Sequence, residues 1–376
     1  MLFKMKMFVR QIAYTICYYL FIIIVPVIYN NAYKNGELQY LSASDFAIWK
    51  KAMINLLKEC CIGRNNFRIR KVMYTFALSK VDVIRKTEAP SKESPIVVLC
   101  VKNDLERIKM LVDHYRALGV ERFAFLDNGS DDGTFEWLLK QSDIDLYRCF
   151  EKYQTEVKEG WMNRIVSYYG FDRWYILTDS DELVVYVGME EHPIKDVINY
   201  ARRNRIQRIK GLTIDMYAKG SPFGKTEDIR KEYKWMDVDT YYEEDVVTGQ
   251  QVHRMFFGGP RQRNMNSKVI LSKYPLVYFA KGTISDNAHF QYPHTLLPSS
   301  PCYFGILHFK FIDKDLKEYK RRAQNNSGFY NRGESYRKYI NYIESGDGAS
   351  FMYEGSIEYK DSHTLEKIDF IKTMDF

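Results

Sequence analysis

Three carboxylates follow an apolar run in the stretch YILTDSDELVV, residues 175–185 of a chain whose formal net charge is +7. Asp179, Asp181 and Glu182 lie so close in sequence that their charges repel, and each loses hydration if it is buried. One interpretation is an acidic turn exposed to water, because short motifs often occur by chance. The other is a site for a divalent cation, because Mg²⁺ and Mn²⁺ bind carboxylate oxygens that a rigid element holds in place. The motif alone does not decide between them.

The sequence around this motif alternates between strand-like and helix-like segments. The apolar run at 95–101 predicts a strand buried on both faces. Asn103, with Glu106 three residues later, has the spacing of a helix N-terminus, and Gly119 is a natural end for that helix. Further strands are predicted at 122–127, 144–150 and 173–179, and further helices at 134–141 and 158–171. The alternation predicts an α/β fold with a mostly parallel central sheet and helices on both faces.

Polar residues stand at the ends of several of these strands. Lys102 and Asn103 follow the first predicted strand, and Asp127 ends the second. Asp179 ends the fourth strand, and Asp181 follows it. Ligands of open α/β sheets bind beyond the carboxyl ends of the strands, which parallel strands bring to one edge. We therefore expect these side chains to meet at one site, which favours the metal interpretation.

The loop LDNGSDDGT, which begins at residue 126, has two interpretations of its own. It is rich in Asn, Gly and Asp, which is typical of an ordinary turn between a strand and a helix. Alternatively, Asp127 accepts hydrogen bonds from a base or ribose while the backbone of residues 128–130 approaches the ligand. The sequence leaves both interpretations open.

The stretch GGPRQRNMNSKVILSKYPLV, residues 258–277, presents two arginines on a loop that contains two glycines and a proline. Guanidinium groups bind phosphate oxygens in a bidentate manner and stabilise negative charge on a leaving group. Arg261 and Arg263 are therefore candidates for binding a donor diphosphate. A basic loop exposed to water is the alternative.

Two motifs in this chain resemble those of glycosyltransferase family 2-like enzymes, in particular bacterial members that synthesise cell-surface glycans. They are VLCVKNDLERIKMLVDHYRALGVERFAFLDNGSDDGT and, further along, WYILTDSDELVV. The resemblance covers roughly residues 90–310, and no motif supports the first 90 residues. One departure is Asp104, where the family pattern usually has Glu.

The resemblance implies a Rossmann-like GT-A domain that binds a nucleotide-sugar donor and Mn²⁺ or Mg²⁺. It places Asp127 near the base or ribose, and the DxD pair Asp179 and Asp181 at the metal and the diphosphate. It also implies a late histidine as a further metal ligand. His308 in YFGILHFKF ends an apolar run and is the first choice, and His289 is the second. A histidine with a purely structural role in the core is the alternative for His308.

An inverting sugar transfer needs a base that deprotonates the acceptor hydroxyl as it attacks the anomeric carbon. The acidic segment WMDVDTYYEED, residues 235–245, lies where an acceptor loop is expected. Asp237, Asp239 and Glu244 are candidates for this base, and Glu243 and Asp245 stay open as well. The sequence does not choose among them, and most of them must be ordinary surface acids.

The N-terminus differs in character from the rest of the chain. Residues 12–29 are uncharged and mostly apolar, and basic residues precede them. They predict a membrane anchor or a short span, with a buried helix as the alternative. The predicted divisions are this anchor at 1–30, an accessory segment at 31–90, a GT-A catalytic domain at 91–310 and a C-terminal helical extension at 311–376. The corresponding localisation is at a membrane, with the catalytic domain in the cytoplasm.

Composition narrows the class of protein. At 376 residues and 46% hydrophobic content, the chain is long and apolar enough to fold into one or two globular domains. The 55 basic and 48 acidic residues are interspersed, so charge alone decides nothing about nucleic acid, and we predict no nucleic-acid partner. The six cysteines show no CxxC spacing, which predicts free thiols in a reducing compartment.

The main functional prediction is a metal-dependent, inverting glycosyltransferase. It would move a sugar from a nucleotide-diphosphate-sugar donor to a surface glycan or glycolipid acceptor, such as lipopolysaccharide or capsule, in association with a membrane. One alternative is a nucleotidyltransferase on a similar scaffold, which releases pyrophosphate instead of a nucleoside diphosphate. Another is a catalytically silent glycan-binding or scaffold protein.

Overall fold

The computed structural model describes residues 79–221, 228–248, 251–299, 301–324, 333–345 and 350–376, together with Val27, Asn30, Asn31, Lys34, Phe46, Ala47 and Lys50. Most of the predicted membrane anchor at 12–29 lies outside these residues. Within the described parts of the chain, no helix is long and apolar enough to cross a membrane. The membrane association and the localisation therefore stay predictions.

Strands and helices alternate through the segment that the sequence pattern singles out. The strands are β1 (Asp82–Arg85), β2 (Ile96–Val101), β3 (Arg122–Asp127), β4 (Ile144–Arg148), β5 (Arg173–Leu177), β6 (Glu182–Val185), β7 (Arg208–Asp215), β8 (Trp235–Asp237), β9 (Tyr242–Thr248), β10 (Gln251–Phe257), β11 (Ser272–Phe279), β12 (Ile284–Asn287), β13 (Phe290–Tyr292), β14 (Phe304–His308) and β15 (Ser356–Glu358). The helices are α1 (Leu105–Ala117), α2 (Thr134–Leu139), α3 (Thr155–Tyr169), α4 (Ile194–Arg203), α5 (Ile229–Glu232), α6 (Gly259–Met265), α7 (Asp315–Gln324), α8 (Glu334–Glu344) and α9 (Ser362–Lys367). The four predicted strands correspond to β2, β3, β4 and β5.

In the described residues, nine strands form one central sheet in the order β1-β4-β3-β2-β5-β11-β7-β14-β6. β4, β3, β2 and β5 run parallel to one another, and β7 and β14 form a second parallel pair. β1, β6 and β11 run antiparallel to their neighbours. The sheet is therefore mostly parallel, which confirms the predicted α/β class.

Alternate residues of the central strands pack into two separate hydrophobic cores. Val97 and Leu99 of β2 pack with α1 and α4 in one core. Ile96 and Val98 of the same strand pack with α3 in the other. All four side chains are fully buried, as expected of a strand that is covered on both sides. The helices therefore lie on both faces of the sheet, as predicted.

The N-cap of the helix after β2 lies one residue later than predicted. α1 begins at Leu105, with Asp104 in the N-cap position. Asn103 instead has a positive φ of 54°. Its side-chain amide donates to Asp131 at 2.7 Å, and its Oδ1 accepts from the Asp131 N–H at 2.8 Å. Asn103 thus connects two loops and is not an N-cap, whereas Gly119, with φ of 83°, ends the helix as predicted.

Segments outside the predicted catalytic domain also pack against the central sheet. β1 pairs with β4, so residues before 91 extend the sheet at one side. Near the C-terminus, β15 pairs with β8, and Leu365 of α9 is buried in the core that contains α1. The segment at 311–376 was predicted to be helical, but it also contributes the strand β15. The predicted domain limits themselves stay predictions.

Cys100, Cys149 and Cys302 are free thiols, as predicted. Burial raises the pKa of Cys100 and Cys302 to about 12, and that of Cys149 to about 11. A thiol that stays protonated is a poor nucleophile. These three residues therefore act as small apolar side chains in the core, and not as reactive groups.

Candidate functional site

The strand directions bring charged residues from distant parts of the chain to one edge of the sheet. β7 ends at Asp215 and β14 at His308, and the loop with Asp181 follows β5. The antiparallel strands β6 and β11 begin at this edge, where they place Glu182 and Lys273. This is the edge at which α/β sheets bind their ligands.

His308 lies between two carboxylates. Its Nε2 is 3.2 Å from Oδ2 of Asp181, and its Nδ1 is 2.7 Å from Oδ1 of Asp215. The other carboxylate oxygen of Asp215 accepts a 2.6 Å hydrogen bond from Nε of Arg261. Asp215 is 1% exposed, whereas the side chain of Asp181 keeps 17% of its surface accessible. The row of charges therefore leads from buried Arg261 to a partly exposed Asp181.

Burial and neighbouring charges have opposite effects on the protonation of this row. Burial alone would lower the pKa of His308, but Asp181 and Asp215 raise it above its usual value. Burial would raise the pKa of both acids, but His308 holds the pKa of Asp181 well below its usual range. Arg261, together with His308, lowers the pKa of Asp215 to about 2. The arrangement therefore favours an imidazolium between two carboxylates.

The residues around Asp181 have the chemistry of a divalent-cation site. One potential ligand atom from each of Asp181, Glu182 and His308 lies within 4.8 Å of the other two. Carboxylate oxygens suit Mg²⁺ and Mn²⁺, and a neutral imidazole nitrogen is a common metal ligand. A histidine that binds a metal usually donates its other N–H to a carboxylate, and Asp215 is placed at that nitrogen. Asp181 and His308 therefore fit a metal, whereas Glu182 also bonds Lys273 at 2.5 Å.

Asp179, the other carboxylate of the DxD motif, has different partners. Lys158 of α3 contacts its Oδ1, and Lys273 of β11 lies 3.2 Å from its Oδ2. Burial would raise the pKa of Asp179, but first Lys158 and then Lys273 lower it. Two ammonium groups thus neutralise the carboxylate that was expected to bind the metal together with Asp181. The metal role of Asp179 stays a prediction, and the structure does not place it in the cluster with His308.

A small pocket lies beside Asp179, between the end of β5 and the β12–β13 hairpin. It is lined by Lys158, Asp179, Lys273, Ser285 and Asn287, by the carboxylates of Glu159 and Glu182, and by apolar side chains that include Met162 and Leu177. Hydroxyl, amide and ammonium groups of this kind hydrogen-bond phosphate and sugar oxygens. The pocket is therefore a candidate subsite next to the metal ligands.

Asp127 is fully buried and shapes its own loop. Its carboxylate accepts hydrogen bonds from the backbone N–H groups of Gly129 at 3.0 Å and Ser130 at 3.2 Å. Nε of Arg148 lies 3.3 Å from the same carboxylate. These contacts match the turn interpretation of the loop. Binding of a base or ribose by Asp127 stays a prediction.

Lys102 and Asn103 are both exposed at the end of β2. The backbone N–H of Asn103 donates to Oγ of Ser130 at 2.9 Å. The two residues therefore lie beside the Asp127 loop, at the edge where the sequence predicts donor binding. Their contact with a donor stays a prediction.

Both predicted phosphate-binding arginines lie on α6, and each is paired with a buried carboxylate. The chain enters α6 through Gly258, whose φ is 105°. A Cβ there would lie 2.0 Å from the backbone oxygen of Thr240, so the turn requires glycine. Arg261 ends the charged row described above, and Arg263 lies 2.9 Å from Asp237. The arginines hold carboxylates in place, and their role at a donor phosphate stays a prediction.

The three candidate bases differ in their access to solvent. Asp237 is fully buried and forms an ion pair with Arg263, so it does not fit the role of a base that contacts the acceptor. Asp239 is exposed. Glu244 is half-buried and bonds Lys268 at 2.5 Å. Asp239 and Glu244 therefore stay candidates.

His308, and not His289, lies at Asp181. Nδ1 of His289 is 2.9 Å from the backbone oxygen of Ser272. In the described residues His289 is not part of the group of possible metal ligands. The first choice among the histidines is therefore the one that the fold brings to the DxD motif.

A buried ionic network fixes the Asp181 loop against α1. Arg107 donates to Asp104 at 2.9 Å and makes two hydrogen bonds of 2.7 Å to Asp315 of α7. It also donates to the backbone oxygen of Phe309 at 2.9 Å. Ser180, which lies inside the DxD motif, donates to Asp104. Asp104, which stands where the family pattern usually has Glu, therefore connects the DxD motif to α1.

The sequence pattern did not single out three of the site residues, namely Lys158, Asp215 and Lys273. Asp215 ends the apolar run IKGLTID, which is the same signal that marks Asp127. Lys158 lies within a helix and Lys273 near the start of a strand, where lysines are common. Their contacts with Asp179 arise from tertiary packing, so no local pattern indicates them.

Comparisons with known proteins assign no family. No family model matches the sequence, and no curated protein matches it. One similar solved structure is HddC from Yersinia pseudotuberculosis, at 12% sequence identity and a TM-score of 0.28. The match covers 58% of this chain and 90% of that chain. At this TM-score the similarity carries no argument about fold or activity.

Proposed function

We propose that the protein is a GT-A-type glycosyltransferase that uses a nucleotide-diphosphate-sugar donor. The observation that carries the proposal is the meeting of Asp181 and His308, 3.2 Å apart, at the carboxyl edge of the sheet. The two motifs that resemble family 2-like enzymes support the same class. The α/β architecture by itself does not, because one fold serves many functions.

Asp181 and His308 are the proposed ligands of Mn²⁺ or Mg²⁺. When bound, the cation supplies positive charge that offsets the negative charge of the donor diphosphate. Asp215 orients the imidazole by accepting a hydrogen bond from Nδ1, and Arg261 keeps Asp215 ionised and fixed. The network centred on Arg107 holds the loop of Asp181 in register with β14.

In the proposed inverting transfer, the acceptor oxygen forms a bond to the anomeric carbon. The bond from that carbon to the phosphate oxygen breaks, and its electron pair leaves with the nucleoside diphosphate. A base takes the acceptor proton, and the accessible acids Asp239 and Glu244 are the candidates for it. A surface glycan or glycolipid, such as a lipopolysaccharide or capsule precursor, is the proposed acceptor, and it fits the predicted membrane association.

The proposal is tested by screening donor hydrolysis. The purified protein is incubated with a panel of nucleotide sugars, with Mn²⁺, with Mg²⁺ and with EDTA, and the products are quantified. We expect one donor to be hydrolysed in a metal-dependent manner, and Asp181→Asn and His308→Gln to lose at least about 100-fold in rate, since each removes a ligand of the cation. Asp113→Asn, which changes an exposed carboxylate on α1, is the matched control and retains the rate.

The products separate the proposed activity from the alternatives. A glycosyltransferase releases a nucleoside diphosphate, whereas a nucleotidyltransferase acting on a sugar phosphate and a nucleoside triphosphate releases pyrophosphate. Hydrolysis of no donor in the panel, together with pyrophosphate release from a triphosphate, would contradict the proposal. No turnover and no thermal stabilisation by any nucleotide would favour the silent glycan-binding protein.

A further inference from the structure

Lys310 lies immediately beyond the proposed metal ligands and has no role in the site as described so far. It stands two residues after His308, and the residue between them, Phe309, donates its backbone N–H to the backbone oxygen of Asp181 at 2.8 Å. The neighbours Phe309 and Phe311 are buried in two different hydrophobic cores. The chain that carries Lys310 is thus fixed on both sides and packed against the DxD loop.

The carboxylates of the charged row already have cationic partners. Asp181 contacts His308, and Asp215 contacts both His308 and Arg261. In the part of the chain that the structure describes, Lys310 is half-buried and forms no hydrogen bond or ion pair through its ammonium group. The charge of Asp181 attracts Lys310, but Asp181 already contacts His308, so no carboxylate contacts the Lys310 ammonium group directly in the described residues.

Tyrosines of α7 and α8 lie beside this cation. The ammonium nitrogen of Lys310 lies 5.7 Å from the ring centre of Tyr319 on α7. The ring of Tyr319 lies 5.2 Å from Tyr336 and 5.9 Å from Tyr339, both on α8. The hydroxyl of Tyr319 also donates to the backbone oxygen of Lys310 at 2.7 Å. These aromatic rings hold Lys310 near Asp181 but supply no anion.

A half-buried ammonium that no carboxylate contacts directly is costly unless an anion comes to it. We propose that Lys310 binds a phosphate group of the donor, next to the site formed by Asp181 and His308. The inference rests on the proposed function and extends it, because it assigns a phosphate ligand that the motifs do not contain. Lysine acts here as a point charge, in a position to stabilise the negative charge that the departing nucleoside diphosphate gains.

The test measures nucleotide binding in the presence of Mn²⁺. Isothermal titration of the full chain with UDP, GDP, dTDP, ADP and inorganic pyrophosphate is compared for the natural protein and for Lys310→Met, Lys310→Gln and Lys310→Arg. Lys317→Met is the matched control, because Lys317 is an exposed lysine on the adjacent helix α7. Thermal melts with Mn²⁺ alone establish that each variant is folded and still binds the cation.

We expect Lys310→Met and Lys310→Gln to bind the preferred nucleoside diphosphate about 10- to 100-fold more weakly, as for the loss of one charged hydrogen bond. Pyrophosphate binding should fall by a similar factor, because the lost contact is with phosphate. Lys310→Arg keeps the charge and should stay within a few-fold of the natural protein, and Lys317→Met should be unchanged.

Two results overturn the inference, and they have different meanings. If the natural protein binds a nucleoside diphosphate and the folded Lys310→Met or Lys310→Gln variant binds it equally well, Lys310 is not a phosphate ligand, while the proposed function stands. If the natural protein binds none of the nucleoside diphosphates with Mn²⁺, the proposed function fails and the inference fails with it. Equal weakening in Lys317→Met would reveal a general effect of charge, and would also overturn the inference.

Discussion

The two aspartates of one short motif are held by different kinds of cation. Asp179 contacts the ammonium groups of Lys158 and Lys273. Asp181, two positions later, contacts the imidazole of His308. Both carboxylates have a lowered pKa, so in both cases the partners keep the acid ionised.

The difference lies in what each partner can give up. A lysine keeps its proton at neutral pH and has no lone pair for a metal, whereas an imidazole that loses one proton becomes a metal ligand. The Asp181 side of the motif can therefore exchange a proton for a divalent cation, while the Asp179 side stays an ion pair. The DxD spacing alone does not reveal this, because it fixes the carboxylates and not their partners.

The largest expected effect comes from exchanging the two aspartates for asparagine. Asp181→Asn should lose Mn²⁺-dependent thermal stabilisation at concentrations that saturate the natural protein, because it removes a proposed ligand of the cation. Asp179→Asn should keep most of that stabilisation, because lysines and not the cation hold its carboxylate. The measurement is the melting temperature over a Mn²⁺ titration.

The control for this comparison is Asp113→Asn, which alters an exposed acid on α1 and should respond to Mn²⁺ as the natural protein does. Equal loss of the Mn²⁺ response in Asp179→Asn and Asp181→Asn would show that both carboxylates bind the cation. The distinction between the two halves of the motif would then be wrong.

A smaller effect is expected from removing the lysines. Lys273→Met leaves Glu182, whose side chain is 4% exposed, without its cation, and should cost about 3 kcal/mol of unfolding free energy. Lys158→Met should cost about 1 kcal/mol, because Asp179 keeps Lys273 and is one-third exposed. Urea unfolding measures both values, with Lys317→Met as a control near zero. A larger loss in Lys158→Met than in Lys273→Met would contradict this ranking.

The last expected effect is a pH dependence that only the histidine side should show. Because folding raises the pKa of His308, its stabilising contribution is fully present below about pH 6.5, the unfolded value, and is lost as the pH rises through the folded value. The pKa values of Lys158 and Lys273 are raised above the usual value of a lysine, so both stay charged over this range. In EDTA, the unfolding free energy should therefore fall by at most about 1.4 kcal/mol per pH unit in that window.

The variant His308→Gln removes the titrating group and should flatten this dependence. The measurement is urea unfolding at several pH values between 6 and 9, with EDTA present throughout. A dependence of the same size in His308→Gln as in the natural protein would assign the titration to another group.

Much of the fold was predictable, because the first half of the sheet follows local rules. The continuous apolar run of β2 and the periodic face of α1 indicate a strand covered by helices, and β3 has the bounds that the pattern predicts. The antiparallel strands β6 and β11 were not predictable in this way. Their directions depend on pairings with strands far away in the sequence, for which no local pattern exists.

The site was predictable in part. Asp181 was singled out because it follows a predicted strand in the DxD motif, and His308 because the resemblance implies a late histidine and this one ends an apolar run; the structure brings the two together. Asp127, Arg261 and Asp237 were found as well, but burial gives them partners within the protein that no spacing indicates. Whether a charged side chain faces a ligand or a counter-ion is decided by tertiary packing.

The most direct test of the central claim is anomalous diffraction from crystals grown with Mn²⁺ and the nucleoside diphosphate that binds best. The account predicts an anomalous peak within bonding distance of a carboxylate oxygen of Asp181 and of Nε2 of His308, with Asp179 still contacting Lys158 and Lys273. A peak bonded to Asp179 and not to His308, or no peak at this edge of the sheet, would contradict it.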